Sequence, residues 1–271
     1  MSPTNMMTLE GKSALVCGST RGIGRACAEE FARLGARVTL FARNEAELEK
    51  VRDRLPAGYG KKGSAEDHAC LRADFSNPSE VRSVLEKHLA TGNGYQILLN
   101  NTGGPAAGAI LDADPEAFRV AFNSHLICNQ ILAGALVPGM KKTGYGRILN
   151  IISTSVKQPL KNLGVSNTIR AAVANWAKTL AGELAPFGIT VNNILPGATL
   201  TERLRSLIHG KAAKASLAED AVEKQMIAEI PAGRFARPEE IAAAAGFLAS
   251  PAAGYITGIN LPVDGGRTAS L

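Results

Sequence analysis

A glycine-rich segment near the start of the chain has the residue types and spacing needed to hold phosphate groups. It reads Gly18-Ser19-Thr20-Arg21-Gly22-Ile23-Gly24. Glycines permit a tight turn and close backbone approach, and a helix that begins there points free N–H groups and its dipole at a pyrophosphate. An apolar run precedes the loop and a helical pattern follows it. We therefore predict a dinucleotide site, with a purely structural turn as the alternative.

The class of cofactor follows from the residues expected after the second and third strands. The second strand ends in Phe41-Ala42-Arg43-Asn44, which offers no carboxylate for the adenosine ribose hydroxyls of NAD. Arg43 and Arg21 supply guanidinium groups that suit a 2′-phosphate, and their presence favours NADP(H) over NAD(H). The alternative is that both arginines are simply solvated surface residues. Asp74, with Phe75 beside it, is expected to contact the adenine of the cofactor. The alternative is that Asp74 is only a turn residue.

The order of apolar and amphipathic segments predicts the elements that position this site. Seven apolar bursts alternate with helical patterns, which is typical of strand-helix-strand units. The bursts span residues 13–17, 37–41, 68–72, 95–100, 147–152, 189–195 and 258–263. Helix start signals lie at Asn77-Pro78-Ser79-Glu80 and Asp114-Pro115-Glu116. We predict an α/β fold: a Rossmann-type, doubly wound parallel sheet of about seven strands with helices on both faces.

Composition excludes several classes of protein. The 271 residues are 45% hydrophobic and 20% charged, with a net charge of +6, which predicts one globular domain over residues 1–271. Only 5% are aromatic and the positive charge is scattered, which disfavours a nucleic-acid groove. The four cysteines lie far apart, so neither a metal site nor a disulfide framework is expected.

We expect the protein to be cytoplasmic and not inserted in a membrane. Residues 1–12 lack the pattern of a secretory signal. The apolar stretches 131–140 and 241–249 are shorter than the ~20 residues that a membrane-spanning helix needs. Two segments interrupt the alternation: residues 56–67 are predicted to form a surface loop, and residues 197–230 a lid over the carboxyl edge of the sheet.

Further motifs give the chain a resemblance to a known family. They are Asn100-Asn101-Thr102-Gly103, Pro196-Gly197 and Val263-Asp264-Gly265-Gly266. Together with the glycine loop and Asp74, they are similar to the motifs of short-chain dehydrogenases/reductases. The segments Ile230-Pro231-Ala232-Gly233-Arg234-Phe235 and Pro238-Glu239-Glu240-Ile241-Ala242 resemble the β-ketoacyl carrier-protein reductase branch.

The resemblance implies roles for residues that the motifs contain. It places Asn101 and Gly103 on the adenosine side of the cofactor, and Thr199 and Thr201 at the nicotinamide carboxamide. Pro196 and Gly197 belong to the same cofactor-binding set. It also implies a homotetramer and a small carbonyl or hydroxyl substrate, such as an acyl thioester.

The catalytic half of the chain departs from the family pattern. The family uses a Ser, a Tyr and a Lys, with an Asn on the fourth helix that holds a water molecule. In this register the Ser is Ser153, whereas the Tyr, Lys and Asn positions hold Ser166, Arg170 and His125. No tyrosine lies between residues 146 and 254, so a shifted register cannot supply one.

The groups that remain permit slow chemistry. Ser153 could bind a carbonyl oxygen, with a residue of the turn at the strand end as the alternative, and Arg170 could hold the nicotinamide ribose. Losing a general acid typically costs about 10²- to 10⁴-fold. His125 is the first candidate for a substitute acid because its usual pKa suits proton transfer. Lys157, Lys161 or an ordered water molecule are alternatives.

These residues predict an NADP(H)-dependent carbonyl or hydroxyl oxidoreductase, similar to 3-oxoacyl reductases, with an atypical active site. One alternative is a catalytically impaired NADP(H)-binding sensor or assembly subunit. Another is a non-redox lyase or isomerase that binds a different ligand in the cofactor pocket.

Overall fold

Seven parallel strands form one sheet in the residues that the computed structural model describes, 6–56 and 68–270. They are β1 (Ser13–Cys17), β2 (Arg37–Ala42), β3 (Ala69–Arg72), β4 (Ile97–Asn100), β5 (Gly146–Ile151), β6 (Ile189–Pro196) and β7 (Asn260–Val263). Their order in the sheet is β3-β2-β1-β4-β5-β6-β7. The chain adds β2 and β3 on one side of β1, then crosses back and adds β4 to β7 on the other side, so the strand order reverses between β1 and β4. A crevice opens at such a switch point, outside the carboxyl ends of the strands.

Helices cover both faces of the sheet. They are α1 (Gly22–Arg33), α2 (Glu45–Arg52), α3 (Pro78–Leu89), α4 (Pro115–Phe122), α5 (Cys128–Thr143), α6 (Gly164–Leu184), α7 (Glu202–Ala215), α8 (Glu219–Ala228) and α9 (Pro238–Ala249). Apolar residues of α1, α2 and α9 pack on one face, and those of α3, α5 and α6 on the other. Because both faces are covered, β1 and β4 are buried throughout. The predicted single-domain, doubly wound α/β fold is confirmed.

Local sequence signals account for the helix starts that were predicted. The Asn77 side chain accepts a hydrogen bond from the Glu80 N–H, and Pro78 occupies the first turn of α3. Asp114 accepts a hydrogen bond from the Glu116 N–H at the start of α4. Strand ends differ from the predicted ones by one or two residues; β7, for example, begins at Asn260 because Gly258 has a left-handed φ of 73°.

Helices α4 and α5 form one continuous helix through a turn with π-helical hydrogen bonding, Asn123–Ile127. By length and composition alone this helix, Pro115–Thr143, could cross a membrane, since an 18-residue window within it has a mean hydropathy of 1.4. In the structure α5 packs against α3 and the sheet, and α4 packs against α6. A single π turn inside a helix often marks a functional position, and this one contains His125.

The predicted lid segment, 197–230, contains α7 and α8. These helices share a small hydrophobic cluster of their own, which includes Leu204, Ile208, Met226 and Phe235. The segment therefore has a core separate from the two faces of the sheet, and its role as a lid stays a prediction. The predicted surface loop falls almost entirely on residues 57–67, outside the described residues.

Candidate active site

The glycine loop adopts a conformation that only glycine tolerates easily. Gly18 and Gly22 have φ values of 60° and 54°. A Cβ atom on Gly24 would lie 2.2 Å from the carbonyl oxygen of Gly18, so α1 packs directly against the loop. The Asn101 side chain fixes the turn by donating to the carbonyl oxygens of Cys17 and Gly18, both at 3.3 Å.

This loop is a cradle that fits a pyrophosphate. Helix α1 begins at Gly22, and the residue before it, Arg21, makes no side-chain hydrogen bond to its first turn. The positive end of α1 therefore faces the space above the loop. Ser19 has a different role: its buried Oγ accepts a hydrogen bond from the Phe41 N–H at 3.0 Å and ties the loop to β2. Ser19 can therefore reach a cofactor only through its backbone, whereas Ile23 is partly buried and packs against the core.

Arg43 follows β2 and Asp74 follows β3, on the side of the crevice where the adenosine is expected. Arg43 is exposed just beyond β2, and its charge contributes to lowering the pKa of Asp74. The larger cause is Ser76, whose N–H and hydroxyl both donate to Asp74 Oδ1, at 2.9 and 2.8 Å. Asp74 is thus the turn residue, and its lowered pKa keeps it ionised at neutral pH. Its Oδ2 has no hydrogen bond among the described residues and remains available as an acceptor. Phe75 packs edge-on against Phe41, with ring centroids 5.1 Å apart.

The start of α7 lies over the glycine loop. Thr201 caps this helix by accepting a hydrogen bond from the Leu204 N–H at 3.3 Å. A Cβ atom on Gly22 would lie 3.2 Å from the Thr201 methyl carbon. Glu202, the next residue, forms an ion pair with Arg21. Glu202 is not among the site residues predicted from the sequence, which carries no signal for its pairing with Arg21, 181 positions away.

Residues after β6 define the expected nicotinamide end. The Gly197 N–H donates to the carbonyl oxygen of Val263 at 3.0 Å, which extends the pairing of β6 with β7 beyond Pro196. Gly197 also lies so close to β7 that a Cβ atom would be 2.8 Å from the Cα of Asp264. Thr199 is buried, and its hydroxyl donates to the Gly197 carbonyl oxygen at 3.1 Å. The Thr199 side chain therefore holds the turn itself.

A small polar cleft lies between the end of β4, the π turn and α6. Its polar lining includes Asn100, Thr102, His125, Asn129 and Arg170. The cavity within it measures about 10 Å³, which is room for about one water molecule. The structure thus brings together two of the predicted catalytic residues, His125 and Arg170.

His125 is held neutral by its surroundings. The imidazole is almost fully buried, and Nδ1 lies 2.5 Å from Thr102 Oγ1. Burial, and then the charge of Arg170, hold the pKa of His125 well below its usual value of about 6.5, although a backbone hydrogen bond with Gly103 opposes this. The expectation that His125 would titrate near neutral pH is therefore wrong, because the sequence did not reveal its burial beside a guanidinium. A neutral imidazole can still accept and pass on a proton.

Arg170 is a buried cation with incomplete hydrogen bonding. Its Nη1 donates to the carbonyl oxygen of Ile151 at 2.7 Å, whereas its buried Nε has no hydrogen-bond partner among the described residues. Burial lowers its pKa to about 10, with a further contribution from the charge of Arg203. Arg170 therefore remains charged at neutral pH. Its unused N–H groups can bind a ligand oxygen.

The two predicted catalytic serines do not line this cleft. Ser153 caps a short turn after β5, and its Oγ accepts a hydrogen bond from the Ser155 N–H at 3.1 Å. Ser166 lies half-buried in the first turn of α6, one helical turn before Arg170. Of the alternative proton donors, Lys161 is exposed and Lys157 is half-buried.

A row of asparagines crosses the sheet and ends at the cleft. Asn100, Asn150, Asn193 and Asn260 are paired in register on β4, β5, β6 and β7. Each side-chain amide donates to the next side-chain oxygen along the row, at distances of 2.8 to 2.9 Å. Only the Oδ1 atom of Asn100 is left as a buried acceptor without a partner in this row, where Asn100 lines the cleft. These hydrogen bonds tie the neighbouring strands together, and the free Asn100 Oδ1 is an acceptor for a water molecule or a ligand.

The sequence comparison decides the family. The profile of the family described as "Enoyl-(Acyl carrier protein) reductase" matches residues 18–268. The chain belongs to the short-chain dehydrogenase/reductase family. Because the matched family and relatives are named as reductases, we assign the protein to the oxidoreductase class of enzyme.

Relatives within the family have names that indicate carbonyl reduction. The chain is 36% identical over 262 residues to the 3-oxoacyl-[acyl-carrier-protein] reductase of Vibrio cholerae, which covers 96% of this chain and 98% of that one. Its structure resembles L-sorbose reductase from Gluconobacter frateurii in complex with NADPH and L-sorbose, with a TM-score of 0.89, 33% identity, and coverage of 98% and 100%. It also resembles 3-ketoacyl-(acyl-carrier-protein) reductase from Brucella melitensis in complex with NADH, with a TM-score of 0.81, 31% identity, and coverage of 96% and 100%.

Proposed function

We propose that this short-chain dehydrogenase/reductase is an NADP(H)-dependent enzyme that interconverts a carbonyl and a hydroxyl group through an atypical active site. The observation that carries the proposal is an intact phosphate cradle at Gly18, Gly22 and Gly24, next to a cleft that joins His125 to Arg170. The names of the relatives favour a 3-oxoacyl compound as the substrate class. The family resemblance is the basis for proposing a homotetramer, and the scattered cysteines are the basis for proposing a cytoplasmic location.

The residues present fit a dinucleotide. The uncapped start of α1 would hold the pyrophosphate, Arg43 and Arg21 the 2′-phosphate, and Asp74 the adenine. Arg170 would hold the nicotinamide ribose through N–H groups that the protein leaves unused. When bound, NADPH supplies a hydride to the carbonyl carbon, and the enzyme must deliver one proton to the carbonyl oxygen.

Proton delivery is assigned to the polar groups of the cleft. Ser153 would bind the carbonyl oxygen, while the neutral His125 and a water molecule in the adjacent cavity would relay the proton from solvent. Arg170 is too strongly basic to release a proton at neutral pH, and it contributes a fixed positive charge that stabilises a forming alkoxide. Ser166 is too short and too weakly acidic to replace a phenol.

The proposal is tested by NADPH consumption across carbonyl substrates that include a β-ketoacyl thioester, with Arg170→Ala as the matched control. We expect slow turnover in the wild type that is lost in Arg170→Ala. Tight NADPH binding without any turnover would instead favour the sensor or assembly-subunit function.

Cofactor preference depends on Arg43. We expect the wild type to bind NADPH at least tenfold more tightly than NADH, because a guanidinium–phosphate contact is charge-assisted. Arg43→Ala should remove most of this difference while leaving NADH affinity unchanged. Fluorescence titration of both cofactors measures the effect, and equal affinities in the wild type would overturn the NADP(H) assignment.

The ion pair between Arg21 and Glu202 competes with the binding of Arg21 to the 2′-phosphate of NADP(H). Both side chains are about two-thirds exposed, so the pair contributes little stability. We expect Glu202→Gln to free Arg21 and tighten NADPH binding about threefold, with no change for NADH. Glu219→Gln is the matched control, because Glu219 is an exposed acid on the neighbouring helix α8. A gain for both cofactors would show that Arg21 does not bind the 2′-phosphate.

A further inference from the structure

The row of asparagines across the sheet has a direction. Asn100 Nδ2 donates to Asn150 Oδ1 at 2.8 Å, and Asn150 Nδ2 donates to Asn193 Oδ1 at 2.9 Å. Asn193 Nδ2 then donates to Asn260 Oδ1 at 2.8 Å. Every amide thus donates toward β7, so the oxygen of Asn100 is the end of the row. Amides that are hydrogen-bonded head to tail polarise one another, which makes this terminal oxygen a stronger acceptor than that of an isolated amide.

This end of the row is buried and lacks a donor. Asn100 is 3% exposed, and its Oδ1 has no hydrogen-bond partner among the described residues. A buried acceptor without a donor is costly, so a ligand that donates a hydrogen bond is expected there. The cleft beside Asn100 has room for about one water molecule. Its lining also includes Thr102, His125 and Asn129, which can supply the other polar contacts that a buried water molecule needs.

The other end of the row lies at the edge of the sheet. Asn260 is half-buried on the last strand, β7, and three strand spacings of about 4.8 Å place it about 14 Å from Asn100. An asparagine offers an oxygen on one side and an NH₂ group on the other, so a row of them can run in either direction. The direction decides whether an oxygen or an NH₂ group of Asn100 faces the cleft.

We propose that Asn150, Asn193 and Asn260 are positioning residues that turn the Asn100 oxygen toward the cleft, where it holds the water molecule of the proton relay. This inference rests on the proposed carbonyl reduction, which needs that relay. A water molecule that passes a proton gains positive charge for a moment, and a fixed acceptor stabilises that charge. An NH₂ group in the same place would oppose it.

The test changes the far end of the row and leaves the cleft untouched. Asn260→Asp offers only acceptors to Asn193, so it permits only the direction described here, whereas Asn260→Leu permits both directions. Thr190→Val is the matched control, because Thr190 is buried on β6 outside the row and its Oγ1 has no partner among the described residues. We expect kcat to fall about tenfold in Asn260→Leu. Asn260→Asp should keep the wild-type kcat, as should Thr190→Val, and the Kd for NADPH should not change in any of them.

Neutron diffraction from crystals exchanged into D₂O gives a readout that does not depend on turnover. Deuterium atoms distinguish an amide nitrogen from its oxygen, which X-ray data at ordinary resolution do not. In the wild type and Asn260→Asp, a water molecule should donate to Asn100 Oδ1, and in Asn260→Leu the row should be reversed in part of the molecules.

Two results would refute the role of the row. One is a wild-type cleft that is empty or faces the Asn100 nitrogen, and the other is an unchanged kcat in Asn260→Leu. If the wild type reduces none of the carbonyl substrates, the proposed reductase function fails for them. The neutron maps then still decide whether the row holds a water molecule in the cleft.

Discussion

Replacing Ser166 with Tyr and Arg170 with Lys together should raise the reduction of a neutral ketone ester by about 100-fold or more. A positioned general acid contributes typically about 10²- to 10⁴-fold, and a phenol beside a cation has a pKa low enough to donate at neutral pH. Ser166 occupies the first turn of α6, one turn before Arg170, so a phenol there would extend along the same side of the helix. The measurement is kcat for methyl acetoacetate at saturating NADPH.

The single variants separate the two contributions. Ser166→Tyr alone should show part of the gain, because Arg170 remains as the neighbouring cation. Arg170→Lys alone should show none, and it should cost about 1 kcal/mol of stability because the hydrogen bond to the Ile151 carbonyl oxygen is lost. A double variant that binds NADPH normally but gains no activity would show that the walls of the cleft no longer admit a substrate at this position.

The sheet could be predicted because parallel strands covered on both faces need apolar residues at nearly every position. The burst over residues 13–17 coincides with β1, which is buried at all five positions. Strand ends were less predictable, since they depend on pairing. Tyr95, for example, opens the apolar burst over residues 95–100, but β4 begins only at Ile97. Tyr95 is buried, and its hydroxyl donates to Thr39 Oγ1 at 2.8 Å.

The cofactor half of the site could be predicted for a related reason. Gly18, Gly22 and Gly24 are required by local backbone geometry, and that requirement appears directly in the sequence. The row of asparagines could not be predicted. Asn100 and Asn150 meet only through the register of β4 and β5, and no single segment encodes that register.

The catalytic half depends on tertiary contacts that sequence spacing does not contain. The protonation state of His125 follows from burial in a π turn and from Arg170, which lies on a different helix. The ion pair between Arg21 and Glu202 joins residues 181 positions apart. Charges on separate elements determine the electrostatics here, so residue types alone gave the wrong protonation expectation for the histidine.

The second large effect is expected at His125. His125→Ala should lower kcat by about 100-fold while leaving the Kd for NADPH within twofold. The side-chain partner of the imidazole is Thr102, which is not a predicted cofactor-binding residue, and Arg170 keeps its hydrogen bond to the Ile151 carbonyl oxygen. His125→Asn should retain most of the activity, since an amide can also hold a water molecule and bind Thr102. The pH dependence of kcat near pH 6.5 should be the same in the wild type and in His125→Asn, because the buried imidazole does not titrate there. Equal activity in the wild type and His125→Ala would exclude the histidine from proton delivery.

The same lowered pKa of His125 makes the stability of the fold depend on pH. In the unfolded chain the imidazole takes up a proton below about pH 6.5, whereas in the native state it stays neutral to much lower pH. Its contribution to the free energy of unfolding is therefore fully present above that pH and is lost as the pH falls, by up to about 1.4 kcal/mol per pH unit.

Urea unfolding at pH 7 and pH 5 should show a loss of unfolding free energy about 1 to 2 kcal/mol larger in the wild type than in His125→Asn. His88, whose pKa is also lowered, is present in both proteins, so the difference isolates His125. Equal losses would mean that the native state accepts a proton as readily as the unfolded chain, which would contradict both the buried neutral imidazole and the relay built on it.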